Sequence, residues 1–280
     1  MGNENYIQET APTQYIVVDG TRFAYRSFGN PDGQPLVMLI HFVATMDDWD
    51  PALVNPLAEH YNIVQFDNKG VGETEGNVPC TIEEMADDAA GFIRALKLGK
   101  VNLLGFSIGG FIAQLLTSRH PELIHKLILA GTAPKGGRLI ADILKHVEIA
   151  QKEDPENPRR ALFFPKTTEG RVAANAYASR LALRVADRVP FPTQKAIAAQ
   201  AKAIIRYGQE DDTDFRLLKS ITQPTLIVNG DYDTMVATEG SLDLVRHIRH
   251  SKLVIWSNSG HGALFQYAND FVHEIREFLG

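Results

Sequence analysis

The stretch Val101-Asn102-Leu103-Leu104-Gly105-Phe106-Ser107-Ile108-Gly109-Gly110-Phe111 passes from a nearly unbroken apolar run into a glycine-rich turn. A strand buried on both faces reads this way, because helices cover both sides of a parallel sheet. Residues 109–119 then take on helical character and stop at Pro121. The same strand signature recurs at residues 36–40, 63–66, 127–130, 225–228 and 253–256, with helix-length intervals between. One interval opens on Thr81-Ile82-Glu83-Glu84, a capping box in which the Thr81 hydroxyl accepts the Glu84 N–H while Glu84 reaches back. Met85, Ala89, Phe92, Ile93, Leu96 and Leu98 carry its apolar face toward Gly99, and Phe271, Ile275 and Phe278 mark another amphipathic helix. Residues 15–19 and 23–28 alternate apolar and polar around Asp19-Gly20, the pattern of an edge hairpin. The fold class is therefore α/β: a mostly parallel twisted sheet flanked by helices and joined by right-handed crossovers.

One interval is too long for a connection. Roughly 90 residues with helical pattern and no clear strand separate the runs at 127–130 and 225–228, where connections ordinarily take about 2–6 residues. The chain divides into a core of residues 1–134 and 220–280 and an inserted helical cap of residues 135–219. Ala-rich helical faces cover residues 172–183 and 193–205, and Phe163, Phe164, Tyr177, Phe191 and Tyr207 supply large apolar bodies. Arg180, Arg184 and Arg188 recur at helical spacing, which reads as a solvated face in preference to a site for a carboxylate-bearing substrate.

Composition narrows the function. The 280 residues are 44% hydrophobic and 22% charged, ordinary for a soluble globular protein. Thirty-four acidic against 28 basic side chains leave a net charge of −6, which offers no basic footprint for nucleic acid or anionic lipid. With Cys80 as the single cysteine, an intrachain disulfide and a thiolate metal cluster are both excluded. Residues 1–10 are polar and acidic, unlike a secretory signal, and Tyr6 stands where a myristoylation motif starting at Gly2 needs Ser or Thr. A cytoplasmic protein with a small-molecule partner is expected, without membrane or nucleic-acid partner.

Chemistry enters at Gly105-Phe106-Ser107-Ile108-Gly109. A Gly-x-Ser-x-Gly between a buried strand and a helix lifts the serine above the carboxyl end of the sheet, and the flanking glycines remove the Cβ atoms that would clash. The Ile108 amide, in the first turn of the helix, points the same way. A serine hydroxyl needs a base. Of nine histidines, His261 in Ser259-Gly260-His261-Gly262 sits in a glycine-bracketed turn just after a strand. His120, His125, His247 and His250 fall among charges at helix ends, and His60, His146 and His273 at surface helix positions. His41 suits holding its own loop by hydrogen bonds. An orienting acid comes after the strand at 225–228, where Asp231 and Asp233 share one turn and either can face the imidazole; Asp231 also suits capping the next helix.

Together these pieces resemble the α/β-hydrolase superfamily over residues 15–278, in its serine hydrolase branch with a helical cap. Asp67-Asn68-Lys69-Gly70-Val71-Gly72 is similar to a further family turn. The resemblance implies Ser107, Asp233 and His261 as catalytic residues, since the family's acid commonly lies three places after the strand-ending glycine, here Gly230. It also implies an oxyanion hole from the amides of Val43 and Ile108. Here His41-Phe42-Val43 departs from the family's His-Gly, and Phe42 in place of glycine is expected to turn the loop or narrow the pocket. Phe42, Phe106 and Phe265 are the expected pocket residues. No cofactor or metal is implied. The expected activity is cleavage of a small-to-medium apolar carboxylic ester or lactone through an acyl-enzyme. C–C bond hydrolysis and perhydrolysis use the same three residues. A non-catalytic small-molecule receptor is the reading from another class.

Overall fold

The computed structural model describes residues 6–280, so the readings at Gly2 and over the first five residues lie outside it. Strands β1 (Gln14–Val18) and β2 (Thr21–Gly29) form the hairpin, with Asp19 and Gly20 at φ 48° and 79° in the turn. After β3 (Pro35–Leu39) comes α1 (Pro51–Ala58), started by Pro51 and by the Asp50 carboxylate, which accepts the Ala52 N–H at 2.9 Å. Next are β4 (Asn62–Phe66) and α2 (Ile82–Ala95). Thr81 Oγ accepts the Glu84 N–H at 3.2 Å; the Glu84 carboxylate takes the Thr81 hydroxyl at 2.7 Å in place of the backbone N–H, and α2 stops short of Gly99.

The decisive unit is next: β5 (Val101–Phe106), α3 (Ile108–Arg119) and β6 (Ile124–Ala130). Then come five helices and, among the described residues, no strand: α4 (Ile143–Glu153), α5 (Pro158–Phe163), α6 (Thr168–Leu181), α7 (Gln194–Gln209) and α8 (Arg216–Ser220). The chain closes with β7 (Thr225–Gly230), α9 (Glu239–His247), β8 (Ser251–Trp256), α10 (Ala263–Gln266) and α11 (Ala268–Leu279). Among the described residues no helix is long and apolar enough to cross a membrane.

The eight strands order as β1-β2-β4-β3-β5-β6-β7-β8, antiparallel at β1–β2 and β2–β4 and parallel elsewhere. Leu39 pairs with Gly105, Phe106 with Ala130 and Gly230 with Trp256, so β3, β5, β7 and β8 all discharge their loops at one edge of the sheet. Ligand sites of open α/β sheets form at that edge. One expectation fails: residues 253–256 belong to an outermost strand whose residues are half-buried or exposed, because β8 has a neighbour on one side only. Its apolar side chains pack instead against the carboxyl-terminal helices, Trp256 stacking on Tyr267 at the start of α11 with centroids 5.7 Å apart.

Just beyond β4, Asp67 is fully buried. Its Oδ1 accepts the Met46 N–H at 2.8 Å and its Oδ2 has no partner. Burial, partly opposed by that N–H and by Arg26, pushes the carboxyl up to about 8, so it keeps its proton at neutral pH. An unfolded chain gives up this proton near pH 4. Between about pH 4 and 8 the folded state thus binds more protons, and stability falls as pH rises, by at most about 1.4 kcal/mol per pH unit from this group. Asp67→Asn is expected to be more stable than the wild type in urea unfolding, with an advantage that widens from about pH 6 to pH 8. A pH-independent difference would contradict the assignment.

Candidate active site

Ser107 is placed by a turn that only close packing permits. A Cβ at Gly105 would collide with the Gly109 carbonyl, and one at Gly109 with the Leu39 carbonyl, so the glycines let α3 start hard against β5 and β3. Ser107 takes φ 58°, ψ −120°, a strained conformation for a residue with a side chain. Its N–H donates to Ala130 O at 3.0 Å, and its carbonyl accepts from Thr132 Oγ1 at 3.1 Å. Its hydroxyl caps nothing. The Ile108 N–H, first in α3, makes no hydrogen bond among the described residues.

His261 and Asp233 meet directly. His261 Nδ1–H donates to Asp233 Oδ2 at 2.8 Å, with both side chains shut off from solvent. Asp233 Oδ1 accepts the N–H groups of Met235 and Val236 at 2.9 and 3.0 Å, so the carboxylate is held at both oxygens. Asp231 caps no helix; its Oδ1 accepts the Ser259 N–H at 3.2 Å and ties the turn after β7 to the turn of His261. The glycines beside His261 serve proximity: a Cβ on Gly262 would strike Phe163, whose carbonyl accepts the Gly262 N–H at 2.9 Å. The imidazole packs against both Phe106 and Phe163, at centroid distances of 5.0 and 5.5 Å, and the two phenyl rings touch each other at 5.7 Å. Phe106, the nearer of the two, directly precedes Ser107 in the chain. His261 Nε2 has no partner, and no hydrogen bond joins it to Ser107 in this structure.

Of the expected oxyanion donors, Ile108 is uncommitted and Val43 is engaged, its N–H donating to Gln200 Oε1 at 3.2 Å. The loop turns at Val43, φ 55°, and not at Phe42. His41 Nδ1–H donates to Phe42 O at 2.8 Å, while burial and the nearby Arg159 charge push its pKa down to about 3, so it stays neutral. Phe42, Phe106 and Phe265 are buried, Phe265 stacked on Tyr177 at 4.6 Å. Ser107 and His261 are themselves 6% and 1% exposed, which leaves the site closed over. A cavity of about 920 Å³ adjoins Asp233 and is lined among others by Phe164, Tyr232 and the half-buried His146, but not by Ser107 or His261.

The arginines read as a solvated face do other work. Arg180 grips the buried Asp50 with two hydrogen bonds of 2.7 and 2.6 Å. Arg184 is buried, donating to Gln8 O and Ala11 O at 3.1 and 3.0 Å and lying 3.4 Å from Asp47; Arg188, half exposed, reaches Asp47 at 3.8 Å. Arg159 closes the set by pairing with Asp48. Burial opposes ionisation of Asp48, but Arg159 outweighs it and holds that carboxyl below its ordinary value. Nothing in the sequence marked Asp48, Asp50, Arg159 or Gln200, since each meets its guanidinium, carboxylate or amide partner more than a hundred residues away along the chain; Asp47 pairs at 2.6 Å with the nearer Arg26, buried on β2, as well as with Arg184. Of the large apolar bodies, Phe163, Phe164, Tyr177 and Tyr207 are buried and Phe191 is 67% exposed.

Residues 35–267 match the family model described as alpha/beta hydrolase fold. The chain is 36% identical to an alpha/beta hydrolase fold protein from Chitinophaga pinensis, with a TM-score of 0.94 over 98% of this chain and 99% of that one. It is 28% identical to the proline iminopeptidase PfmaB of Pestalotiopsis fici, over 95% of this chain and 99% of that protein. It is 25% identical to the 2-hydroxy-6-oxo-6-(2'-aminophenyl)hexa-2,4-dienoic acid hydrolase of Metapseudomonas resinovorans, over 95% of this chain and 90% of that one. With the strand order, the serine turn and the match over most of its length, this chain belongs to the alpha/beta hydrolase fold family.

Proposed function

We propose that the protein is a serine hydrolase acting on a carboxylic ester or lactone of small-to-medium apolar character. The observation that carries this reading is the buried 2.8 Å His261–Asp233 pair with an unpartnered Nε2, together with a strained Ser107 whose hydroxyl caps nothing. Asp233 fixes the proton on Nδ1, which leaves Nε2 as the acceptor a base requires. Ser107 Oγ attacks the carbonyl carbon as His261 Nε2 takes its proton, and negative charge gathers on the carbonyl oxygen. The Ile108 and Val43 amides receive that charge. Collapse expels the alcohol, protonated by His261, and water repeats the sequence on the acyl-enzyme. The Ser107–His261 hydrogen bond forms in this scheme with substrate bound, as catalytic contacts in resting sites are often long and tighten in the Michaelis complex.

The helices of residues 135–219 act in this reading as the cap, and Phe42, Phe106 and Phe265 line the acyl side. Apolar surroundings favour an apolar substrate. A second reading, C–C bond hydrolysis by the same residues, draws support from the Metapseudomonas relative. A short-chain alkyl fluorophosphonate tests the shared core: one adduct is expected, located on Ser107 by mass spectrometry of the digested protein. No adduct, or an adduct elsewhere, would leave a non-catalytic receptor as the better description. Among proteins that label, a panel of apolar esters and lactones beside a vinylogous 1,5-diketone separates the two reactions.

A further inference from the structure

The Val43 N–H is already occupied, and its partner comes from the inserted helices. It donates to Gln200 Oε1, 157 residues along the chain, from a buried side chain on α7. The other end of the same peptide unit, Phe42 O, is held by His41 Nδ1–H at 2.8 Å. Beyond it, Val43 O accepts from Arg159 Nη2 at 3.3 Å. Val43 itself sits at φ 55°, a left-handed conformation that is a genuine outlier for a β-branched residue. A peptide held at both its N–H and its C=O, with the following carbonyl held as well, cannot turn toward an incoming oxygen. That oxygen must displace the one already there.

We propose that Gln200 is a positioning residue of the acyl-transfer site, its amide oxygen occupying the Val43 donor at rest and yielding it to the oxyanion. The inference rests on the serine hydrolase reading of Ser107 and His261. Its consequence comes from the relative strengths of two hydrogen bonds. A substrate carbonyl and the Gln200 carbonyl are both neutral acceptors, so exchanging one for the other in the ground state gains little. An oxyanion is an ionised acceptor, and its bond to N–H is roughly twice as strong. The exchange becomes favourable only as charge develops, so this donor stabilises the transition state without tightening substrate binding. Gln200 also keeps a buried N–H satisfied while the site is empty, where an unpaired one would be costly.

The test monitors phosphonylation by the same fluorophosphonate, resolved into the dissociation constant of the first complex and the rate of bond formation. In that step the Ser107 oxygen forms an O–P bond, fluoride leaves, and the proton passes to His261. Gln200→Leu, with Gln200→Met as a second variant keeping side-chain length, removes the resident acceptor. Both are expected to lower the dissociation constant about 2- to 10-fold, the worth of one neutral hydrogen bond, with the bond-forming rate little changed. Gln200→Glu places an ionised acceptor on the same N–H and is expected to slow the overall reaction about 10-fold or more. A purely structural role for Gln200 would slow all three. Backbone hydrogen exchange gives a second readout, since the Val43 amide should exchange faster in Gln200→Leu than in the wild type. An unchanged dissociation constant in the Leu and Met variants, or unchanged Val43 exchange, with the wild type still labelled at Ser107, overturns the role of Gln200 alone. A wild type that does not label at Ser107 overturns the serine reading and this inference with it.

Discussion

Ser107→Ala is expected to lower turnover of any accepted ester by about 10⁴- to 10⁶-fold while the protein stays folded. The loss is large because no other hydroxyl stands on the turn between β5 and α3, and what remains comes from oxyanion donors and binding alone. Folding should survive because the Ser107 hydroxyl caps nothing and supports no neighbour. Alanine inherits the same φ of 58° and the same backbone bonds through Ala130 and Thr132. Ser107→Gly goes further: relief of left-handed strain is expected to raise stability by about 1 kcal/mol while abolishing activity equally. Thermal unfolding and ester hydrolysis on the same samples check both halves. Activity retained in either variant would sink the assignment of the nucleophile, and unfolding of the alanine variant would mean that the hydroxyl has a structural role.

Asp233→Asn is expected to reduce turnover by about 10⁴-fold, the cost of the wrong imidazole tautomer. The substitution keeps an oxygen for the N–H groups of Met235 and Val236, bonds of 2.9 and 3.0 Å in the wild type, so the turn should hold. What changes is the atom opposite His261 Nδ1. An amide NH₂ there donates, so the imidazole must accept on Nδ1 and carry its proton on Nε2, where it cannot take one from Ser107. Asp233→Ala differs in an instructive way: it also leaves two buried N–H groups unpaired, at about 1–3 kcal/mol each, so stability falls with activity. Histidine NMR in the Asn variant should find the ring proton on Nε2. Turnover within a few-fold of the wild type would mean that Asp233 is a brace for its turn and not the partner that orients the base.

The two sharpest features of the site were visible in the sequence because each demands a local backbone peculiarity that glycine records. Ser107 and His261 both sit in glycine-bracketed turns after apolar runs, and the glycines mark close approaches: of α3 to β3 and β5 in one case, of Phe163 in the other. The acid was legible only to within a turn. Asp231 and Asp233 lie two residues apart on one loop, and which faces the imidazole depends on backbone direction; the structure gives Asp233 to His261 and Asp231 to Ser259. The outermost position of β8 was hidden because an apolar run reads alike whether helices cover both its faces or aromatic side chains shield one. Least legible were Gln200 and the arginines between β6 and β7. The spacing of Arg180, Arg184 and Arg188 reads as one helical stripe, but α6 ends at Leu181, so Arg180 holds Asp50 from the helix while Arg184 and Arg188 reach the distant Asp47 from the loop beyond it.

Those arginines tie the segment between β6 and β7 to the stretch after β3. Asp48 and Asp50 are compensated by Arg159 and Arg180 from the helices between β6 and β7, whereas Asp47 is held by Arg26 on β2 as well as by Arg184; breaking a buried pair on one side costs about 3–5 kcal/mol because a charge is stranded. Excising the helices would therefore not uncover a ready-made smaller protein. Transplanting them onto a relative, to borrow its selectivity, would succeed only if the matching aspartates travelled too.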